Sequence, residues 1–330
     1  MTANEKPGVP IGAAERDVLL AVGRAAELAR SIQRHAPLRH VKNDMTPLTV
    51  ADLAAQAIIA SALERAFPDV PLVAEEDASP LDGDDGRRLA AETLTLARSS
   101  LPDLTHRDLV RLLNSGRGSR ADRCWALDPV DGTEGFLRGG HYVVSLALLE
   151  GHQPTLAMLA CPTLGRTGVD VATEGLVMIA RRGGGTWITP MGSLDYQRVH
   201  VSDVYALGDA RVLRSFVDSH IDVDRTNRVL QTARVGRSPI LMDSQAKHMA
   251  IAAGRADLFV RIPAGDYREY IWDHAAGALA IEEAGGCVTD LEGRPLDFQT
   301  GRRLERNRGL VAANRHLHPL ILDVLRRCDR

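Results

Sequence analysis

Apolar residues in this chain fall into two patterns, stripes at helical spacing and short continuous runs, and each predicts its own kind of element. From Ile11 to His35 they recur at Val18, Leu19, Val22, Ala25, Leu28 and Ile32, the stripe of one amphipathic helix. A second helix is predicted from Val50 to Phe67, rich in Ala, Ile and Leu, and stopped by Pro68-Asp69. Pro71 to Ala74 then reads as a short buried strand ending on Glu75. Between Ser79 and Asp122 the text turns polar, with Gly83, Asp84, Asp85 and Gly86 together. Modest helical patterns lie inside it at Arg87 to Ala97 and Asp103 to Leu113, and the whole stretch predicts an insertion, a flap or side wall.

Strand signals follow at Cys124 to Leu127, Tyr142 to Leu149, Thr155 to Cys161 and Leu176 to Ala180. Glu150-Gly151-His152-Gln153 predicts a hairpin, and Gly183-Gly184-Gly185 turns another strand. From about Tyr205 strands and helices alternate. The strands are Arg211 to Phe216, Leu258 to Ile262 and Leu310 to Ala313; the helices are Asp224 to Ala233, Gln245 to Ala253, His274 to Glu283 and Leu317 to Arg326. This predicts two tightly packed halves, an α+β half over 1–204 and an α/β half over 205–330, meeting at a cleft.

Composition narrows the function classes. Hydrophobic residues make up 45% and charged residues 25%, the mix of a soluble globular protein, while the 4% aromatic share leaves the core to Ala, Leu, Val and Ile. A net charge of -3 gives no footprint for a nucleic-acid polymer or an anionic membrane. A small anionic substrate stays open, because a bound cation inverts the local field. Cys124, Cys161, Cys287 and Cys328 form no close pair, which fits a reducing compartment and argues against a disulfide framework or a zinc site. Met1 to Pro10 has no apolar h-region, and no apolar run is long enough to span a bilayer. The expectation is a cytoplasmic protein without membrane association and without an obligate protein partner.

Candidate chemistry gathers where strands end. Asp128 follows the run Cys124 to Leu127, Pro129 is expected to stop that strand, and Asp131 precedes Gly132. Two carboxylates three positions apart, with the Val130 carbonyl between them, suit magnesium, which takes oxygen ligands and keeps open positions for substrate. The same residues also make an ordinary turn whose aspartates bond their own backbone. Glu75-Glu76-Asp77 is either a source of a metal ligand or a solvated loop. Asp273, expected to open a helix, reads as a ligand, an N-cap, or both; Asp52 fits a capping box with Thr49. Lys247 and Arg261 suit a phosphate, and Ser244 near a helix start adds donors for an anion, though each also reads as an ordinary surface charge or cap. His220, after Asp218-Ser219, reads equally well as a loop residue.

Taken together, these segments resemble the lithium-sensitive, magnesium-dependent phosphatase superfamily that contains inositol monophosphatase. The resemblance rests on Thr46-Pro47-Leu48-Thr49-Val50-Ala51-Asp52, Val73-Ala74-Glu75-Glu76, Trp125 to Gly139, Leu241 to Lys247 and Ile271 to Gly286. Within the superfamily, the long link between Glu75-Glu76 and Asp128 is similar to the 3'(2'),5'-bisphosphate nucleotidase branch. So are Gly135-Phe136-Leu137-Arg138-Gly139, Asp243-Ser244-Gln245-Ala246-Lys247 and Arg261.

The resemblance implies a layered sandwich of the inositol monophosphatase and sugar phosphatase type, an α+β to α/β fold with alternating helix and sheet layers. It implies that Glu75, Asp128, Asp131, Asp273 and the Val130 carbonyl hold two or three Mg2+ ions. Thr133 and Asp52 would orient and deprotonate the attacking water. His220, Ser244, Lys247 and Arg261, with Thr133 and Asp273, would bind a small nucleotide bisphosphate. The implied reaction is hydrolysis of the 3'-phosphate of adenosine 3',5'-bisphosphate, and also of its 5'-phosphosulfate analogue. The rival readings are a phosphatase acting on inositol phosphates and a non-catalytic nucleotide sensor. Two positions depart from the branch: Glu134 stands where lysine is frequent, and Asp77 where serine is common. Both predict a more acidic substrate site.

Overall fold

The computed structural model describes residues 9, 11–34, 39–41, 47–117, 121–216 and 220–328, without the side chains of 39–41 and 47–49. The other residues of the N-terminal tail, His35, Thr46, the Thr49 side chain and Asp218-Ser219 lie outside the described residues. Helix α1 (Ala13–Arg34) buries the predicted stripe, Val18, Leu19, Val22, Ala25 and Ile32, and leaves its other face wet. Strands β1 (Arg39–Val41) and β2 (Pro47–Thr49) form a small antiparallel ribbon that leads into α2 (Val50–Ala66). Alanines let α2 approach its neighbours closely, and it is buried nearly all round. Next come β3 (Leu72–Ala74), α3 (Gly83–Ala97) and α4 (His106–Ser115).

The first large sheet is completed by β4 (Arg123–Asp131), then, after the short α5 (Thr133–Leu137), by β5 (Val143–Glu150), β6 (Gln153–Cys161), β7 (Leu176–Arg181), β8 (Gly185–Pro190) and β9 (Gln197–Val199). Its seven strands lie in the order β3-β4-β5-β6-β7-β8-β9. Only β3 and β4 are parallel; every other neighbour pair is antiparallel. The predicted hairpin joins β5 to β6, with Gly151 and His152 both at positive φ, the geometry of a two-residue turn that follows strand twist.

The second half adds β10 (Val212–Arg214), α6 (Val223–Thr232), β11 (Ile240–Leu241), α7 (Ala246–Ala252), β12 (Leu258–Arg261), α8 (Ala275–Glu283), β13 (Gly286–Thr289), β14 (Leu310–Asn314) and α9 (Leu317–Cys328). Its five strands lie in the order β11-β10-β12-β14-β13.

Three apolar clusters stack these parts. Trp125, Leu127, Leu146 and Met158 face α1 to α4 from one side of the large sheet. Ala126, Ala147, Leu159 and Met178 face α7 and α8 from its other side, and these two helices also cover Phe259 and Ala312 of the small sheet. Leu258, Val260 and Val311 on the far side of that sheet pack against α6 and α9. The result is helices, sheet, helices, sheet, helices. Small residues make the middle layer thin. Ala275, Ala276, Gly277 and Ala278 are all buried in α8, and a Cβ at Gly277 would come within 2.5 Å of the His248 ring on α7.

Two expectations are corrected here. The stretch 79–122 is not a flap: α3 and α4 bury Leu89, Leu94, Leu109, Leu112 and Leu113 in the first core, so their apolar faces outweigh the polar text around them. Pro129 does not stop its strand, because β4 continues to Asp131. Between Asp128↔Ser145 and Asp131↔Val143 the chain takes three steps against two on β5. This bulge leaves room for a residue with no N–H to donate.

An ion pair ties the start of the second sheet. Asp257, fully buried, accepts from Arg211 at 2.6 and 2.9 Å and from the Arg211 amide at 2.7 Å. Burial would raise this carboxyl, but Arg211 and Ser202 hold it below the ordinary carboxylate range. Its contribution to stability is therefore present above the unfolded value near ~4 and lost as pH falls through the folded one. Asp257→Asn is expected to cost about 3 kcal/mol at pH 7. Urea unfolding at pH 7 and pH 3 should show the gap from wild type shrinking on acidification.

Candidate active site

The register of β3 against β4, the parallel pair of the large sheet, assembles the first acids. Ala74 sits opposite Leu127, and the Glu75 amide donates to the Leu127 carbonyl at 3.1 Å, so Glu75 and Asp128 leave neighbouring strand ends together. Glu76 turns inward and is buried, its amide donating to Gln56 Oε1 at 3.2 Å. Asp77 turns away to Arg117 at 3.0 Å. Three acids adjacent in sequence thus take three directions.

On β4, the Val130 amide donates to Asp128 Oδ1 at 3.2 Å, and the Thr133 hydroxyl donates to the Val130 carbonyl at 3.3 Å. The ordinary turn and the carboxylate cluster coexist in the same residues. Gly132 ends the turn at φ 89, and a Cβ there would lie 2.7 Å from the Ser244 Cβ. Glycine is what lets the second half close onto this turn.

Gln245 makes that closure. Its amide donates to Asp131 Oδ2, its side-chain nitrogen to the Trp272 carbonyl at 3.0 Å, and its side-chain oxygen accepts from the Gly277 amide at 3.0 Å. One buried residue, by its backbone amide on one side and its side chain on the other, thereby fixes the Asp131 turn against the start of α8. Ser244, at φ 61, accepts from the Ala246 amide at 3.2 Å, but it is not the N-cap of α7, which is Gln245. Asp273 is not the N-cap of α8, which starts at Ala275 after His274. The segment after Ile271 turns before the helix begins, and Asp273 Oδ2 accepts instead from the Tyr270 amide at 3.0 Å.

These elements enclose a cavity of about 580 Å³ between the two halves. Its lining includes Glu75, Asp128, Val130, Asp131, Thr133, His220, Ser244, Lys247, Arg261 and Asp273. Asp52 does not line it: this residue is wholly buried on the first turn of α2, from which its charge still reaches Asp128. Burial, then Glu75, Asp131, Asp273 and Asp52, push the Asp128 carboxyl well above its ordinary value. Asp273 is raised well above its ordinary value by burial, Glu269, Asp131 and Glu75. Asp131 is raised by burial against the opposing pull of Lys247 and the Gln245 amide.

The same cavity is also lined by cationic and aromatic side chains. Lys247 Nζ donates to Ser215 Oγ at 3.3 Å and to the Met242 carbonyl at 3.1 Å, and lies 5.1 Å from the Phe259 ring centroid. Arg261 pairs with the buried Glu269 at 2.7 Å. Burial alone would raise Glu269, yet Arg261 and His274 hold it down at about 2. His220 stacks on Tyr267 with ring centroids 4.3 Å apart and planes 6° from parallel. Sequence reading overlooked Gln245, Glu269 and Tyr267. Gln245 stood inside the motif Asp243 to Lys247, but nothing local signals Glu269 or Tyr267, whose partners lie on other elements.

Of the two acids expected to colour the site, Glu134 does line the cavity, 3.6 Å from Arg138, which also pairs with Asp243. The expectation for Asp77 is corrected. Asp77, paired with Arg117, does not line the cavity.

Comparison with known proteins settles the lineage. The profile of the inositol monophosphatase family matches residues 13–330. The chain belongs to the inositol monophosphatase family. It is 32% identical to the 3'(2'),5'-bisphosphate nucleotidase of Schizosaccharomyces pombe, with 92% of each chain covered. It is 34% identical to that of Emericella nidulans, over 93% of this chain and 96% of the relative. Among solved structures, the extragenic suppressor protein SuhB from Bartonella henselae aligns with a TM-score of 0.67 at 20% identity, covering 96% of this chain and 99% of that one. Thermotoga maritima IMPase aligns at 0.66 and 22% identity, over 94% and 96%. Both share the layered sandwich.

Members of the inositol monophosphatase family are generally metal-dependent, and the donors here fit that chemistry. They are all oxygen, from carboxylates and one peptide carbonyl, which is what a hard divalent cation takes. Their mutual repulsion in a buried site is the cost such a cation removes. Among the described residues, no three acidic, His or Cys side chains are already gathered on one point; the carboxylates share a cavity wall instead. Because the folded Asp128 carboxyl lies above its unfolded value, its ionisation destabilises the metal-free protein as pH rises past ~4. Metal-free Asp128→Asn is expected to be more stable than metal-free wild type at pH 7, the gap narrowing toward pH 4. Mg2+ at a hundredfold excess over its Kd should stabilise wild type by about 2.7 kcal/mol and the variant much less. Calorimetric melts with and without Mg2+ measure both.

Proposed function

We propose that this protein hydrolyses the 3'-phosphate of adenosine 3',5'-bisphosphate to AMP and phosphate with Mg2+, and accepts the 5'-phosphosulfate analogue. The observation that carries the reading is a single cavity lined by carboxylates together with cationic and aromatic side chains, in a chain 32% to 34% identical to nucleotidases over most of its length. A substrate with two anionic groups, one for cations held by the carboxylates and one for the basic side chains, suits such a lining.

When bound, Mg2+ neutralises the phosphate and stabilises the leaving oxygen. Glu75, Asp128, Asp131, Asp273 and the Val130 carbonyl are its proposed holders, two or three ions in all. Thr133 has its hydroxyl at the cavity wall and its oxygen close to the Val130 carbonyl, where it can orient a water for in-line attack. The buried Asp52, whose charge reaches Asp128, is the proposed final acceptor of that water's proton. As the water oxygen bonds to phosphorus, the bond from phosphorus to the ribose 3' oxygen breaks, and that oxygen takes up a proton. Lys247, Arg261, Ser244 and His220 hold the nucleoside and its second anionic group. In this division of labour the 1–204 half supplies most of the carboxylates, and the 205–330 half supplies the anion-binding groups and Asp273.

Phosphate release from adenosine 3',5'-bisphosphate and from inositol 1-phosphate, at equal concentration with Mg2+, is expected to favour the nucleotide by at least ~10-fold. Preference for inositol 1-phosphate would move the chain to the inositol phosphatases, and tight nucleotide binding without turnover would make it a sensor. Asp128→Asn should lower kcat/KM on the order of 1000-fold, or about 4 kcal/mol, with circular dichroism unchanged. Lithium should inhibit wild type in the same assay.

A further inference from the structure

Of the cations on the cavity wall, Arg261 is matched by Glu269 at 2.7 Å, and Lys247 donates to Ser215 and the Met242 carbonyl. Arg303 differs. It lines the same cavity, partly buried, yet its contacts are the Arg268 carbonyl at 2.6 Å, the Tyr270 hydroxyl and two ring faces. Its guanidinium carbon lies 3.8 Å from the Tyr270 centroid and 5.9 Å from that of Tyr267. Among the described residues, no carboxylate pairs with it.

The side chain is also held in place. The Ile271 amide donates to the Arg302 carbonyl at 3.0 Å, and the Leu304 amide to the Glu269 carbonyl at 2.9 Å. These bonds flank a bridge between Tyr270 and Arg303. Its neighbour Arg302 points elsewhere, donating to the Ala74 carbonyl at 2.7 Å and lying over Trp272 at 4.6 Å. Adjacent arginines therefore divide two tasks, a strut between the halves and a charged wall. A guanidinium has five N–H donors, and the two hydrogen bonds above leave three for a ligand. A planar cation fixed against aromatic faces, with donors left over and no acid beside it, suits a phosphate or sulfate oxygen.

We propose that Arg303 is a specificity-determining residue that binds the second anionic group of the substrate, the one that is not hydrolysed. This rests on the bisphosphate reading above, and the tests separate the two. Kd for AMP, which carries only the second anion, is measured by calorimetry with wild type, Arg303→Met and Arg303→Lys. In parallel, kcat and KM are measured with Mg2+ on adenosine 3',5'-bisphosphate and adenosine 3'-monophosphate.

Arg303→Met is expected to weaken AMP binding about 10-fold and to lower the bisphosphate-to-monophosphate ratio of kcat/KM by about the same factor, chiefly through KM. Arg303→Lys should recover part of both losses. Unchanged AMP affinity, or equal losses on the two substrates, overturns the proposal and leaves Arg303 a packing residue. If wild type turns over neither nucleotide, the nucleotidase reading fails, while the AMP titration still decides whether Arg303 binds an anion.

Discussion

Buried like charge at the ends of two parallel strands is the constraint to which the rest of this molecule answers. Register alone places Glu75 beside Asp128, and the bulge through Pro129 brings Asp131 around to the same side. Burial raises the Asp128 and Asp131 carboxyls above their ordinary values. They stay together because α2 and the large sheet are packed on either side, so the strands cannot separate without opening the first core. The fold therefore holds stability in reserve against a site that opposes it, and a divalent cation returns part of that cost on binding.

A second constraint follows, since acids on one half must meet acids on the other. Gln245 does this by reaching both Asp131 and the start of α8 with no charge of its own. A charged residue there would have moved the carboxylates it positions. Arg302 makes the complementary link at the surface, holding the end of β3 to the ring beside Asp273. Small residues let both links be short. Glycine at 132 and 277 removes the side chains that would keep the layers apart.

How much of this was legible in the sequence depends on whether the cause is local. The helix and strand periods of α1, α2, β5 and β6 follow from patterns within a dozen residues, and these elements lie close to where the pattern predicts them. The family resemblance named the layered sandwich, which no local pattern could. The short edge strands β9, β11 and β13 left no run long enough to read. The strand through Pro129 was misjudged because a bulge depends on the partner strand, which proline chemistry alone does not reveal. The polar text at 79–122 showed both helices but hid their place in the core, because polarity was averaged over the stretch while burial follows one face. At the site, residues near a motif were found, whereas Glu269, Tyr267 and Arg303 act through neighbours that only the tertiary fold supplies.

The same distinction bears on how the cavity chooses a ligand. Carboxylates that hold a cation are set by strand ends and cannot drift far without losing the fold, so the reactive end of such a site is conservative in its chemistry. The far wall is built from loops around 220, 267 and 303, whose rings and guanidinium carry little of the core. A change there is expected to alter which second group is welcomed while the acids keep their places. Arg138 illustrates how local such a change is: it faces the acid at 134 as well as Asp243, and the Asp128 to Thr133 turn keeps its own bonds. Substrate preference in this protein is therefore expected to reside in the cation balance of the outer wall, and the capacity for phosphate-ester hydrolysis in the register of β3 against β4.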